Sequence, residues 1–248
     1  IGTIGGGALE YMVIDRARQV LRDGGHADSL DIPLGPEIGQ CCGGRVDVAL
    51  RRVTEARAQD LIGRIEAEKA ARPHVVMFGA GHVGHALAQA LSALPLKVQV
   101  IDTRPDELVG FPANVETQAV AMPEAVVRSA PKGSAFVILT HDHALDFLIA
   151  AEALQRQDAP YVGMVGSLTK KAKFRSWYLS EGYPAAALDR LVLPIGGAAF
   201  PGGVGDKRPE VIAALAAAEI LVHIGGREAQ KLDARLATGQ MSGAVFGR

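Results

Sequence analysis

VVMFGAGHVGHALAQAL, at residues 75–91, is the most informative stretch of this chain, because an apolar strand pattern changes there into a helical one. Between the two patterns lie Gly79, Gly81 and Gly84, in the GxGxxG spacing of a dinucleotide-binding loop. The first glycine permits a tight turn, the second lets the backbone approach a pyrophosphate, and the third lets the helix pack closely on the strand. The helix N-terminus then faces the anion. The stretch predicts a Rossmann-like turn, whose glycines either bind a dinucleotide or serve the turn alone.

The pattern that surrounds this stretch predicts the rest of the domain. From His74 onward, helical stretches separate short apolar segments: HVVMFGAG, KVQVID, SAFVILTHD, YVGMVGS and LVLPIGG. This alternation is typical of a parallel sheet covered by helices on both faces. Asp102 ends KVQVID, 18 residues after Gly84, where a carboxylate accepts hydrogen bonds from a ribose. We therefore expect NAD rather than NADP as the dinucleotide, although Arg104 nearby weakens that discrimination.

The first 72 residues follow a different pattern. A glycine turn leads into a helix that ends at Gly24 and Gly25, and strand patterns follow at 28–34 and 45–53. A polar helix over 54–72 has only a thin apolar stripe, so we interpret it as a connector. We predict an α/β protein in which a smaller N-terminal α/β domain precedes a C-terminal Rossmann-like, doubly wound parallel sheet. The predicted domains are 1–72 and 73–248.

The composition excludes several classes of partner. The chain has 26 basic and 27 acidic residues, and this net charge of −1 provides neither a basic field for nucleic acid nor a polybasic membrane anchor. No apolar run approaches the roughly 18 to 20 residues of a membrane span. Two cysteines are too few for a secreted disulfide framework, so we expect a cytoplasmic protein. The chain opens at Ile1 without a methionine, and we expect an N-terminal piece to be missing.

The two cysteines are adjacent, in GQCCGG at residues 39–44. Adjacent α-carbons lie about 3.8 Å apart, too close for an unstrained disulfide, and structural zinc needs four ligands. Flanking glycines leave backbone N–H groups uncovered, which favours anions such as a thiolate. The motif therefore predicts a reactive or soft-metal-binding loop, with two small buried hydrophobic residues as the alternative. The candidate residues are Gln40, Cys41, Cys42, Gly43 and Gly44.

The two thiols are not equivalent. In an extended backbone, neighbouring side chains point to opposite faces, so only one cysteine can readily face a given cavity. Gly43 and Gly44 follow Cys42 and leave the backbone more open there. We expect Cys42 to be the metal ligand and Cys41 to be a packing residue.

A second glycine turn, GTIGGG at 2–7, opens the first helix. Its Gly5, Gly6 and Gly7 can cradle a phosphate at the helix N-terminus, or can form only a flexible turn. The turn lacks the GK[ST] ending of a nucleotide-hydrolysing loop, so it does not indicate ATP use.

Polar residues follow a strand pattern in THDHALD at 140–146, at the edge where parallel sheets bind ligands. His141 and Asp142 are candidate cofactor contacts and can form an acid–base pair. His141 and His143 can instead hold a metal with His82, or the stretch can be a solvated loop that caps a helix.

Seven blocks of the chain together resemble the XdhC family, whose members are accessory proteins for the maturation of xanthine dehydrogenase and related molybdenum enzymes. The blocks occur in the family's order and span nearly the whole chain. The resemblance implies an N-terminal domain with the cysteine motif and a C-terminal Rossmann-like domain. The blocks are GTIGGGALE at 2–10, GQCCGG at 39–44, VMFGAGHVG at 76–84, IDTRPD at 101–106, LTHDHALD at 139–146, YVGMVGS at 161–167 and PEVIAALAAAEI at 209–220.

The resemblance also implies a function without catalytic turnover. A protein of this family would bind molybdenum cofactor (molybdopterin) as cargo, protect it while a cysteine desulfurase installs the terminal sulfido ligand, and deliver it to apo xanthine dehydrogenase or a related molybdenum hydroxylase. Such a carrier needs a soft ligand and an anion-binding backbone, which GQCCGG can supply. An NAD-dependent oxidoreductase with redox-active cysteines is the alternative. We also expect a homodimer, because the first half of the chain has little core of its own.

Overall fold

The computed structural model describes residues 4, 6–36, 39, 43–197 and 205–237, with side chains as far as residue 226. The chain divides into two compact units, Ile1–Ala70 and Ala71–Arg248. The GQCCGG motif belongs to the first unit and the GxGxxG loop to the second.

The first unit consists of helices and a β-hairpin. Helix α1 (Gly7–Arg22) precedes strands β1 (Ala27–Pro33) and β2 (Arg45–Arg51), which pair antiparallel. Alternation along both strands places their apolar side chains on one face, where they pack against α1. Helix α2 (Glu55–Ala71) follows, and none of its residues is buried, in agreement with its thin apolar stripe. The core consists of Leu9, Val13 and Ile32, with Leu30, Leu34, Val46, Val48 and Leu50 partly buried around it.

The described residues of the second unit form six strands and five α-helices. The strands are β3 (His74–Phe78), β4 (Lys97–Asp102), β5 (Val115–Ala119), β6 (Ala135–Ile138), β7 (Val162–Met164) and β8 (Leu191–Val192). The helices are α3 (His82–Ser92), α4 (Pro123–Ser129), α5 (His143–Gln155), α6 (Leu168–Ser180) and α7 (Pro209–Ala237).

The strand order identifies the topology of this sheet. All neighbouring strands are parallel, in the order β5–β4–β3–β6–β7–β8. The chain enters at the central strand β3, runs outward to β5 and then returns to the other side of β3 at β6. This is the strand order of dinucleotide-binding folds, in which ligands bind where the direction reverses. The predicted Rossmann-like α/β fold is confirmed.

Helices cover both faces of the sheet because the strands are apolar on both sides. Val75 and Met77 of β3 belong to a core shared with α3 and α7. Val76 and Phe78 point to the opposite face and belong to a core shared with α4, α5 and α6. The sheet is therefore doubly wound, as its near-continuous apolar strands predict.

Helix α7 corrects one expectation from the sequence. Its window Pro209–Gly226 has a mean hydropathy of 1.4 over 18 residues, so by length and composition it is apolar enough to cross a membrane. From the sequence we predicted no apolar run of that length. Core helices of folded domains meet the same criteria, and Ala216 and Ile220 of this helix are fully buried against the sheet and α3.

Candidate functional site

Two of the three loop glycines are required by packing. Gly79 has a φ of +116°, and a Cβ atom there would lie 2.3 Å from the carbonyl oxygen of Leu139. A Cβ atom on Gly84 would lie 2.3 Å from the carbonyl oxygen of Gly79. Any larger residue at either position would displace backbone, so these glycines hold β3, β6 and α3 together.

Gly81 differs from both of them. Its φ of −74° suits any residue, and apart from its neighbours along the chain no described atom lies within 4 Å of the position that a Cβ would occupy. Neither backbone conformation nor packing against the described residues therefore explains a glycine there. The space beside it is what the close approach of a bound pyrophosphate would require.

A cavity of about 740 Å³ lies beside this loop. It sits at the carboxyl ends of β3, β4 and β6, which include the point where the strand order reverses. One wall is formed by His85, whose ring stacks on Phe111 with the ring centroids 3.9 Å apart. The charged and imidazole side chains that line the cavity are His82, His85, Arg104, Glu107, His141 and Glu210.

Asp102, the predicted ribose acceptor, is held by groups of the chain itself. The residue is 4% exposed, and its carboxylate accepts hydrogen bonds from the Ala80 N–H at 2.8 Å and from the Arg104 N–H at 3.0 Å. The Arg104 guanidinium donates two more, from Nε at 3.0 Å and from Nη2 at 3.2 Å. Burial alone would raise the pKa of Asp102, but the bonds from Arg104 and Ala80 outweigh it and lower this pKa below its usual value.

The residues therefore fit a dinucleotide at one end of the cavity and not at the other. The open space at Gly81 suits a pyrophosphate, whereas all four acceptor positions of the Asp102 carboxylate are used. A ribose contact at Asp102 stays a prediction that requires Arg104 to move. The sequence indicated Arg104 only as a residue that weakens the discrimination between NAD and NADP. Its bond to Asp102 was not predicted, although a basic residue two positions after a carboxylate can indicate such a bond.

Two residues of THDHALD have different roles: Asp142 caps a helix and His141 lines the cavity. Asp142 caps α5, because its carboxylate accepts the Ala144 N–H at 2.8 Å, so the structure agrees with the capping alternative for this residue. His141 lines the cavity, while His143 is the first residue of α5. Among the residues that the structure describes, no three His, Cys, Asp or Glu side chains are grouped as a metal site would need, so the proposed set of His82, His141 and His143 is not formed.

A buried ion pair supports the loop that carries His141. Asp146 of α5 is fully buried and accepts two hydrogen bonds from Thr140, from the backbone N–H at 3.0 Å and from Oγ1 at 2.7 Å. Lys170 of α6 donates to the other oxygen of Asp146 and to the Val165 carbonyl at 3.0 Å. Sequence reasoning missed Lys170, since one lysine within the basic run KKAKFR carries no signal of burial.

Two family models match this chain. The model of the XdhC Rossmann domain matches residues 75–220, which include the glycine loop, Asp102 and His141. The model of the XdhC and CoxI family matches residues 1–32. The chain belongs to the XdhC family.

Two proteins similar to this XdhC-family chain differ from it widely in sequence. It is 26% identical over 241 residues to YqeB, an uncharacterized protein of Escherichia coli K12, in a match that covers 89% of the chain and 38% of YqeB. The chain thus spans well under half the length of that relative. A solved structure of a xanthine dehydrogenase from Bacillus halodurans has a TM-score of 0.74 at 18% identity, over 92% of this chain and 83% of that one. At that identity, the likeness shows the fold alone.

The cysteine motif of this XdhC-family chain lies in the loop between β1 and β2. Gln40, Cys41 and Cys42 are outside the described residues, as is Gly5 of GTIGGG. The Leu34 N–H donates to the Gly44 carbonyl at 2.9 Å and closes the base of the loop. The flanking glycines all have left-handed backbone, which explains glycine at these positions. The φ values are +70° at Gly39, +64° at Gly43, +93° at Gly44, +69° at Gly6 and +62° at Gly7.

Proposed function

We propose that this chain is an accessory protein for the maturation of xanthine dehydrogenase or a related molybdenum hydroxylase. It binds molybdenum cofactor as cargo, protects the cofactor while its terminal sulfido ligand is installed, and delivers it to the apoenzyme. The observation that carries this proposal is membership of the XdhC family, with matches in both units of the chain.

The chemistry of the first unit is compatible with such a cargo. Molybdenum cofactor presents a metal with sulfur ligands and an anionic phosphate, so a carrier needs a soft ligand and backbone N–H groups. In the first unit, left-handed glycines flank the two cysteines, and Gly6 and Gly7, the N-cap and first residue of α1, have left-handed backbone too. We assign Cys42 as the thiol that contacts molybdenum and the glycine turns as the groups that receive the phosphate.

The second candidate function is an NAD-dependent oxidoreductase, and the cavity beside Gly81 favours it. Two observations count against it. Asp142 is engaged as a helix cap rather than as the partner of a catalytic histidine, and Asp102 is saturated by Arg104 and Ala80. We therefore rank an oxidoreductase that binds NAD or another dinucleotide in the second unit below the carrier function.

The deciding experiment is to purify the protein from cells that make molybdenum cofactor and to measure bound pterin and molybdenum. We expect both, at a stoichiometry approaching one per chain, and we expect the loaded protein to activate apo xanthine dehydrogenase. Protein from cells that cannot make the cofactor is the control. Retained nicotinamide with hydride transfer to a carbonyl compound, and no pterin, would instead favour the oxidoreductase.

The proposed function implies partners and a compartment. The client apoenzyme and a cysteine desulfurase must both reach the cargo, so we propose that each binds this protein in the cytoplasm. Co-purification of a molybdenum hydroxylase with the loaded protein tests the first contact. Transfer of labelled sulfur from a purified desulfurase to the bound cofactor tests the second, and equal transfer to free cofactor would contradict it.

A further inference from the structure

Arg104 lines the cavity and is paired with Asp102, the carboxylate predicted to accept a ribose. Nε of Arg104 donates to Oδ1 of Asp102 at 3.0 Å, and Nη2 donates to Oδ2 at 3.2 Å. The backbone N–H groups of Arg104 and Ala80 take the second position on each oxygen. A carboxylate offers about four acceptor positions, so none remains for a ribose hydroxyl.

The same arginine is poorly placed to receive a phosphate. Its Nη1 donates to the Glu107 carboxylate at 3.1 Å, so one guanidinium lies between two carboxylates. The three groups together carry a net negative charge, which disfavours a phosphorylated ribose. In this arrangement Arg104 does not form the phosphate contact by which some dinucleotide folds select NADP.

The remaining geometry shows what would change if Arg104 moved. Asp102 would keep the bonds from the two backbone N–H groups and would gain one free position on each oxygen. Two hydroxyls of one ribose need such a pair of acceptors. The Arg104 side chain is 40% exposed, so it can turn into the cavity without disturbing the core.

We propose that Arg104 determines which nucleotides this cavity accepts: paired with Asp102, it excludes a nucleotide with an unphosphorylated ribose diol. Such a nucleotide binds only after the guanidinium leaves Asp102. The open pyrophosphate end at Gly81 makes NAD⁺ and AMP the appropriate probes. The inference concerns the second unit alone and does not rest on the proposed carrier function.

The test is a calorimetric titration of NAD⁺, AMP and NADP⁺ into wild type and Arg104→Ala. We expect Arg104→Ala to bind NAD⁺ and AMP about tenfold more tightly than wild type, the value of one hydrogen bond to a charged group. The affinity for NADP⁺ should rise less. Arg128→Ala is the matched control, since Arg128 forms an exposed ion pair with Glu152 and does not line the cavity.

A double-mutant cycle identifies the cause of the gain. In an Asp102→Asn background, Arg104→Ala should give no comparable increase, because the acceptor that it releases has changed. Arg104→Lys keeps the charge but loses the planar fork, and should fall between wild type and Arg104→Ala. Circular dichroism and thermal unfolding verify that each variant is folded.

Three outcomes would overturn the inference. Unchanged or weaker NAD⁺ binding in folded Arg104→Ala would show that the arginine does not exclude the ribose. A wild-type preference for NADP⁺ that Arg104→Ala removes would make Arg104 a phosphate contact. No nucleotide binding by any folded variant would mean that the cavity is not a ribose site.

Discussion

Gly81 and Gly84 belong to one motif, but only Gly84 is required by packing. We expect Gly81→Val to cost only about 1 kcal/mol, the effect of a poorer helix cap, and to abolish dinucleotide binding by filling the open space. Gly84→Val, the control, should cost more than about 3 kcal/mol because its Cβ meets the Gly79 carbonyl. Chemical denaturation measures the stability of both variants, and nucleotide titration measures the binding of Gly81→Val. If folded Gly81→Val binds as wild type does, or if the wild type binds nothing, the glycines serve the turn alone.

The two adjacent cysteines allow an equally direct comparison. Cys42→Ala should lose bound molybdenum cofactor and fail to activate the client, whereas Cys41→Ala should stay largely competent, because Gly43 and Gly44 open the backbone beside Cys42. Each variant is the control for the other, and the measurement is molybdenum and pterin per chain. If both variants retain equal amounts of cofactor, Cys42 is not the molybdenum ligand. If only Cys41→Ala loses the cofactor, Cys41 is the ligand instead.

Between elements, the Lys170–Asp146 pair joins α6 to α5 and to the end of β6. Lys170→Met leaves the Asp146 charge buried without its partner, so we expect a loss of about 3–5 kcal/mol in the free energy of unfolding. Lys170→Met combined with Asp146→Asn should cost less than Lys170→Met alone, since asparagine is neutral and still accepts from Thr140.

The exposed pair Arg128–Glu152 is the control for that measurement. Arg128→Ala should change the free energy of unfolding by less than about 1 kcal/mol, because solvent screens the pair. A Lys170→Met cost as small as that of Arg128→Ala would show that the buried pair does not hold these elements together.

For the molecule as a whole, the apolar surface of the first unit supports the predicted homodimer. Tyr11, Leu21 and Val53 are 72%, 58% and 58% exposed, and the last two line an apolar groove of about 340 Å³. The first unit has a small hydrophobic core, and burying this surface against a second copy would increase its buried apolar area. Analytical ultracentrifugation at micromolar concentration should therefore show a dimer.

The double variant Leu21→Glu, Val53→Glu should shift this equilibrium to monomer by placing charges in the interface. Val109→Glu in the second unit, where Val109 is 74% exposed, is the control and should stay dimeric. A monomeric wild type would refute the prediction, and equal dissociation of both variants would place the interface elsewhere.

How far the fold follows from the sequence depends on the periodicity of each element. The apolar strands β3, β6 and β7 were predicted, because burial on both faces makes them near-continuous hydrophobic runs. Strand β4, KVQVID, was predicted from a shorter apolar pattern, since Lys97 and Gln99 are only half-buried. Strand β5, VETQA, was missed. It forms one edge of the sheet, and after Val115 its side chains are exposed, so neither alternation nor an apolar run marks it.

The sequence by itself determined the Rossmann-like class, the place of the glycine loop and the family, because each depends on spacing and periodicity within segments of the chain and on the order of those segments. Only the tertiary structure decided which glycines are required by packing and that Arg104 occupies Asp102. It also decided that Lys170 reaches Asp146, 24 residues away. These contacts depend on which backbone and side-chain atoms the parallel sheet brings together at its carboxyl edge. The atoms come from segments that are distant in sequence, so no single segment predicts the contacts.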